Sequence, residues 1–98
     1  MTIDVTAEWI ALGWFSTGSN PVALAIRERL NRHTSCNAVQ LWIRGINNDA
    51  PLTLPANATE WLTKYFDRQH VYPFTLELPD DVLATARPGT TLDDRQHI

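Results

Sequence analysis

The sequence predicts a small α+β domain, with helices packed on one face of a mostly antiparallel sheet. Three observations carry this. Ala58, Trp61, Leu62, Tyr65 and Phe66 fall at i, i+3, i+4, i+7 and i+8, the stripe of an amphipathic helix. Directly after it, Phe74, Leu76 and Leu78 alternate with Thr75 and Glu77, the pattern of a half-buried strand. Earlier, Asn20-Pro21 opens a second apolar helical run. A helix stripe beside an alternating strand gives two layers that bury each other. The expected order is β-α-α-β-β-α-β. One domain is expected over residues 1–86, with a disordered tail over 87–98.

Composition agrees with one domain. The chain has 98 residues, 44% hydrophobic and 19% charged, which excludes wholesale disorder. Four Trp are more than so short a chain hides easily. Eight basic and eleven acidic residues leave a net charge of −3, which argues against non-specific nucleic-acid binding. The single cysteine, Cys36, rules out an internal disulfide framework and fits a reducing compartment. The opening MTIDVTAEW has no basic n-region and no long apolar run, so no signal peptide is expected, and no window is apolar enough to span a membrane. The expected location is the cytoplasm.

Along the chain, Ile3 and Val5 alternate with Thr2 and Asp4 as a short first strand. Thr6 caps a short helix over 7–12 that Gly13 ends, with Trp9 and Ile10 facing inward. Residues 13–20, GWFSTGSN, form a connecting loop expected to tuck Trp14 or Phe15 of its bulky pair into the core. It lacks the lysine of a phosphate loop. Asn20 then caps a helix with Pro21 at its first position, and Val22, Ala23, Ile26 and Leu30 share one side. Residues 31–37 read as a polar connector. Val39, Leu41 and Ile43 form the inner face of a strand that places Trp42 and Arg44 opposite, and Leu52 and Leu54 flank Thr53 in a returning strand. The third helix starts near Pro55, with Asn57 and Glu60 spaced as a capping box. Pro73 biases Tyr72 to an extended conformation, so the helix stops before it.

Candidate chemistry is sparse. His33 and Cys36 suggest a metal ligand pair, but His70 and His97 are far away in sequence and no second cysteine exists, so no metal or other cofactor is expected. His33, Cys36, Asp67, His70 and Glu77 match no catalytic spacing, so no enzyme is expected. Binding residues stand out more. Trp42 beside Arg44 has the composition of an interface anchor, with Trp14 and Phe15 as further aromatic contacts. Glu77, Asp80 and Asp81 would meet a basic partner surface. As an alternative, Arg27, Arg29 and Arg32 form a basic helix face for nucleic acid or a nucleotide. A self-assembling protein, possible as a homodimer, would use Leu24 or an exposed strand edge.

Two segments carry a resemblance. NPVALAIRERL resembles the (C/S)PIALALRR helix of a group of small, functionally uncharacterised phage and prophage proteins. Leu54-Pro55, Phe66-Asp67 and Val71 to Leu78 resemble their later helix-strand block, an LP followed by F-D and then V-x-P-F-x-F-x-L. The opening TIDVTAEW is similar too, so the likeness covers about two thirds of the chain. Many members carry cysteines before the Pro-Ile-Ala helix where this chain has Ser19-Asn20, so no metal or redox property carries over. The resemblance implies a phage or mobile-element accessory protein. Such proteins often inhibit host machinery or defence, anti-CRISPR proteins among them. The expected function is therefore non-catalytic binding to a host protein or protein complex.

Overall fold

The computed structural model describes residues 1–93. The protein is an α+β domain in which every strand pair is antiparallel. Strand β1 (Thr2–Val5) buries Ile3 and Val5 and pairs with β5 (Phe74–Glu77), setting Ile3 opposite Leu76. A second sheet runs in the order β2 (Thr34–Cys36), β3 (Gln40–Ile43), β4 (Leu52–Thr53). The strands thus form two sheets rather than the single one expected from sequence. Helix α2 (Pro21–Leu30) lies against both β1 and β2 and buries Val22, Ala23, Ala25, Ile26 and Leu30 between them. It joins the sheets where a shared strand would otherwise be needed.

The first two helices form where their caps require. Thr6 accepts a hydrogen bond from Trp9 N at the start of α1 (Ala7–Leu12), and the Gly13 N–H donates to Trp9 O at its end. Gly13 also lies hard against α2: a Cβ there would sit 2.6 Å from Pro21 Cγ. Asn20 is the most heavily used polar residue. It is fully buried, its Oδ1 accepts from Ala23 N at 2.9 Å, and its Nδ2 donates to Ser16 O and Cys36 O, each at 3.0 Å. One side chain thus caps α2, closes the loop before it and ties both to β2. Asn31 ends α2 in the left-handed region (φ 55°), which Asn tolerates better than most residues.

Several expectations are corrected. Residues 34–36 are a strand, not connector, because Thr34 and Cys36 point inward against Ile43 and Leu41. Val39 precedes β3 and is exposed, so the buried face of that strand is Leu41 and Ile43 alone. The Asn57–Glu60 capping box does not form: helix α3 (Ala56–Phe66) starts after Pro55 with no side-chain cap. Asn57 instead donates to Thr75 O at 2.8 Å, holding the helix to β5.

The segment expected as a disordered tail is in part docked. Arg87 N donates to Gly45 O, Leu92 N donates to Asn31 O, Arg87 pairs with Asp49 at 2.6 Å and Thr90 is buried. Its receptor is a tight corner. Gly45 has φ 78°, and Asn47, Asn48 and Asp49 follow with φ of 56°, 54° and 61°, a left-handed turn built from the side chains that best accept it. The remaining tail residues, 94–98, lie outside the described ones.

Two variants test this architecture. Asn20→Ala removes a cap, typically about 1 kcal/mol, and leaves buried backbone groups unpaired, about 1–3 kcal/mol more. Urea denaturation should show a loss of about 3 kcal/mol for this variant. Gly45→Ala must place a side chain in the left-handed region and against Thr90, and should cost at least ~1 kcal/mol by the same measurement.

Candidate functional site

Aromatic rings form one connected array from the α1–α2 loop across α3 to β5. Trp14 lies 5.7 Å from Phe15, Phe15 stacks on Tyr65 at 4.8 Å, Tyr65 on Trp61 at 5.4 Å, and Trp61 on Phe74 at 4.8 Å. Trp61 and Tyr65 are the buried centre, one helical turn apart on the inner face of α3. Burial pushes the Tyr65 phenol above its ordinary range, and nearby Arg68 offsets part of that. At the outer end, Trp14 is 68% exposed. An exposed Trp resting on a ring that is itself stacked is held in place yet open to solvent, the character of an interface anchor.

The chain after α3 completes this surface. Arg68 has φ 62°, and its guanidinium lies 3.7 Å over the Phe15 ring while Nη1 donates to Phe66 O. The left-handed position after a helix usually belongs to Gly or Asn. Occupying it with a larger side chain costs about 1–2 kcal/mol, and an exposed cation–π contact returns only about 0.5–1 kcal/mol. Arg68 is thus a local net cost to folding. The Trp61 indole N–H then donates to Tyr72 O at 2.8 Å, pinning the connector to α3. The Tyr72 ring is left 71% exposed, edge-on to His70 at 4.7 Å. Between these groups lies a hollow of 240 Å³ lined chiefly by Ile10, Phe15, Tyr65, Arg68, His70 and Val71.

The residues singled out from sequence fall in four places. Trp14 and Phe15 belong to the array just described. Trp42 and Arg44 are half-buried on β3, beside a separate 260 Å³ hollow that they line with His33, Ser35 and Asp49. Trp42 takes part in none of the ring contacts among the described residues. Glu77 and Asp80 converge on the Met1 ammonium, 3.4 and 2.5 Å away, and hydrogen bonds hold both carboxyls below their usual range: Thr2 first for Glu77, the ammonium for Asp80. Asp81 is exposed beside them. Arg27 and Arg29 are exposed on α2, but Arg32 is half-buried and turns back to donate to Leu30 O, so the three do not make one open basic face.

Sequence reading did not bring Arg68, His70 and Tyr72 together as one surface. Their juxtaposition depends on the left-handed turn at Arg68, which no spacing rule anticipates. Pro73 gave the one available signal, since it fixes Tyr72 as extended and ends the helix early.

Cys36 is fully buried, with Sγ 3.4 Å from Asn20 Oδ1. No group of three or more His, Cys, Asp or Glu among the described residues is placed to hold a metal ion, and His97 lies outside them. No helix among the described residues is long and apolar enough to cross a membrane. No protein-family model, curated protein or solved structure matches the chain.

Two outcomes are expected. Arg68→Gly should match the wild type in stability or exceed it by up to ~1 kcal/mol in urea denaturation. The Cys36 thiol, pushed up to about 11 by burial, should resist a disulfide reagent at pH 8 in the native state. It should react only as fast as the protein opens, which stopped-flow thiol labelling measures.

Proposed function

We propose that the protein is a non-catalytic protein-binding module. On this reading it is a phage or mobile-element accessory protein that acts in the host bacterial cytoplasm and inhibits or modulates a host protein or complex, with anti-CRISPR or other anti-defence activity as the specific form. The observation that carries the binding function is Trp14, exposed yet seated on the Phe15–Tyr65 stack. Isolated small domains gain nothing in stability from holding a large ring in water, whereas interfaces concentrate Trp, Tyr and Arg at their energetic centres. Tyr72 and Arg68 supply the other two types within the same surface. The resemblance of the α2 and α3–β5 segments to phage and prophage proteins supplies the biological setting.

This reading moves the centre of binding from Trp42 and Arg44 to Trp14 and Phe15. Trp42 is half-buried beside a separate hollow, and Asp49 next to it is already paired with Arg87. Glu77 and Asp80 are occupied with the Met1 ammonium, which leaves Asp81 as the acidic group open to a basic partner.

A tagged pull-down from bacterial lysate, nuclease-treated and untreated, with proteins read by mass spectrometry, tests the function. One stoichiometric protein is expected with the wild type, and Trp14→Ala should weaken its capture at least about tenfold, the effect of losing a hot-spot ring, with the fold intact by circular dichroism. Trp42→Ala should retain capture. Recovery of nucleic acid alone, lost on nuclease treatment, would contradict the reading.

A further inference from the structure

The hollow beside Arg68 has a chemistry of its own. Its walls are apolar: Ile10, Val71 and the rings of Phe15 and Tyr65. Its polar lining comes from Arg68, Gln69 and His70, and no carboxylate lines it. On a chain with eleven acidic and eight basic residues, this patch has the opposite sign to the whole. The nearest acid in sequence, Asp67, lies outside the lining and accepts a hydrogen bond from Gln69 Nε2 at 2.8 Å. Two exposed rings flank the hollow through its lining: Trp14 contacts Phe15, and Tyr72 contacts His70.

Arg68 is also preorganised. The Phe15 ring lies beneath its guanidinium, the Phe66 carbonyl holds Nη1, and the left-handed backbone fixes where the side chain begins. A guanidinium held over a ring loses little freedom when it takes up a carboxylate with its remaining donors. Two N–H groups to two carboxylate oxygens is the geometry that Arg offers and Lys does not. An arginine kept where glycine suits the backbone better points to use of the side chain itself.

Resting on the protein-binding reading, we propose that this hollow receives a short acidic segment of the partner. A bulky apolar side chain enters over Phe15 and Val71, and a neighbouring Asp or Glu pairs with Arg68. Trp14 and Tyr72 close over the two sides and exclude water, which strengthens the ion pair.

The test is a selection of random 12-residue displayed peptides against the wild type. Affinities of the enriched peptides are then measured by fluorescence anisotropy for the wild type, Arg68→Gly and Arg68→Glu. Enriched peptides should share Asp or Glu within two residues of Leu, Phe or Trp. Binding should weaken about tenfold in Arg68→Gly and about a hundredfold in Arg68→Glu, the range seen when one partner of a close charge pair is removed or reversed. Arg68→Gly is expected to melt at or above the wild-type temperature, and its melting curve, recorded alongside, separates loss of binding from unfolding. Enriched peptides without acidic bias, or binding unchanged in both variants, would overturn this proposal and leave the protein-binding reading standing. Enrichment of no peptide, with a 12-nucleotide single strand bound instead, would overturn both. Sedimentation showing wild-type dimers that Arg68→Glu dissolves would make a second copy the occupant, through a segment such as Asp80 to Leu83, and would overturn a foreign one.

Discussion

The structure depends on one buried amide. Asn20 is the residue through which the α1–α2 loop, the start of α2 and the edge of the second sheet are held together. A buried side chain with both donor and acceptor satisfied specifies a geometry that an apolar residue of the same size does not. The loop carrying Trp14 and Phe15 inherits that geometry. Asn20 N donates to Ser16 O and Trp14 N donates to Ser19 O, so the loop is fixed at both ends within six residues. Pro21 packs on Gly13 at the loop entrance, and the missing Cβ of that glycine lets the two approach. The surface that carries Trp14 and Phe15 is therefore coupled to the core, not appended to it.

From that loop outwards, rings do the work that aliphatic side chains do elsewhere in the molecule. The α2 interface with both sheets is Val, Ala, Ile and Leu, closely packed. The region around the second half of α3 is instead a row of stacked rings running from buried Trp61 through Tyr65 to Phe15, with exposed Trp14 tilted against its end. Stacked rings are stiff, because each has only two rotatable bonds to lose. They carry the rigidity of the core out to the surface. The same stack supports Arg68 in a backbone conformation that opposes its side chain, so here local stability is given up where the surface gains a charge.

Much of the fold was legible because caps and periodicity act locally. Thr6, Gly13, Asn20 and Pro21 mark helix ends through their own backbone chemistry, and the 58–66 and 74–78 patterns report burial directly. What was illegible depends on distant partners. The strand Thr34–Cys36 has only two inward residues, too few to show a period. Docking of Arg87 to Leu92 depends on the corner at Gly45 and on the Asn31 carbonyl, more than forty residues away in the chain. Asn57 had two uses open to it, and the carbonyl of Thr75 won over its own helix end. In the candidate site, Trp14 and Phe15 were visible as an unusual pair in a polar loop. Arg68, His70 and Tyr72 were not, since a helix read to its end gives no hint that the next residue turns left-handed. For Trp42 and Arg44, alternation fixed the face opposite Leu41 and Ile43 but left open whether that face is covered; the structure half-buries both, beside Ser35 and Asp49.

The proposed binding function places the partner on the ring array and not on β3. Photocrosslinking tests it whatever the partner's identity. A benzophenone amino acid replaces Trp14 in one protein and Trp42 in another, and each is irradiated in nuclease-treated bacterial lysate. The account predicts a discrete crosslinked protein from position 14 and none from position 42. A crosslink from position 42 alone would contradict it and return the binding site to the second sheet.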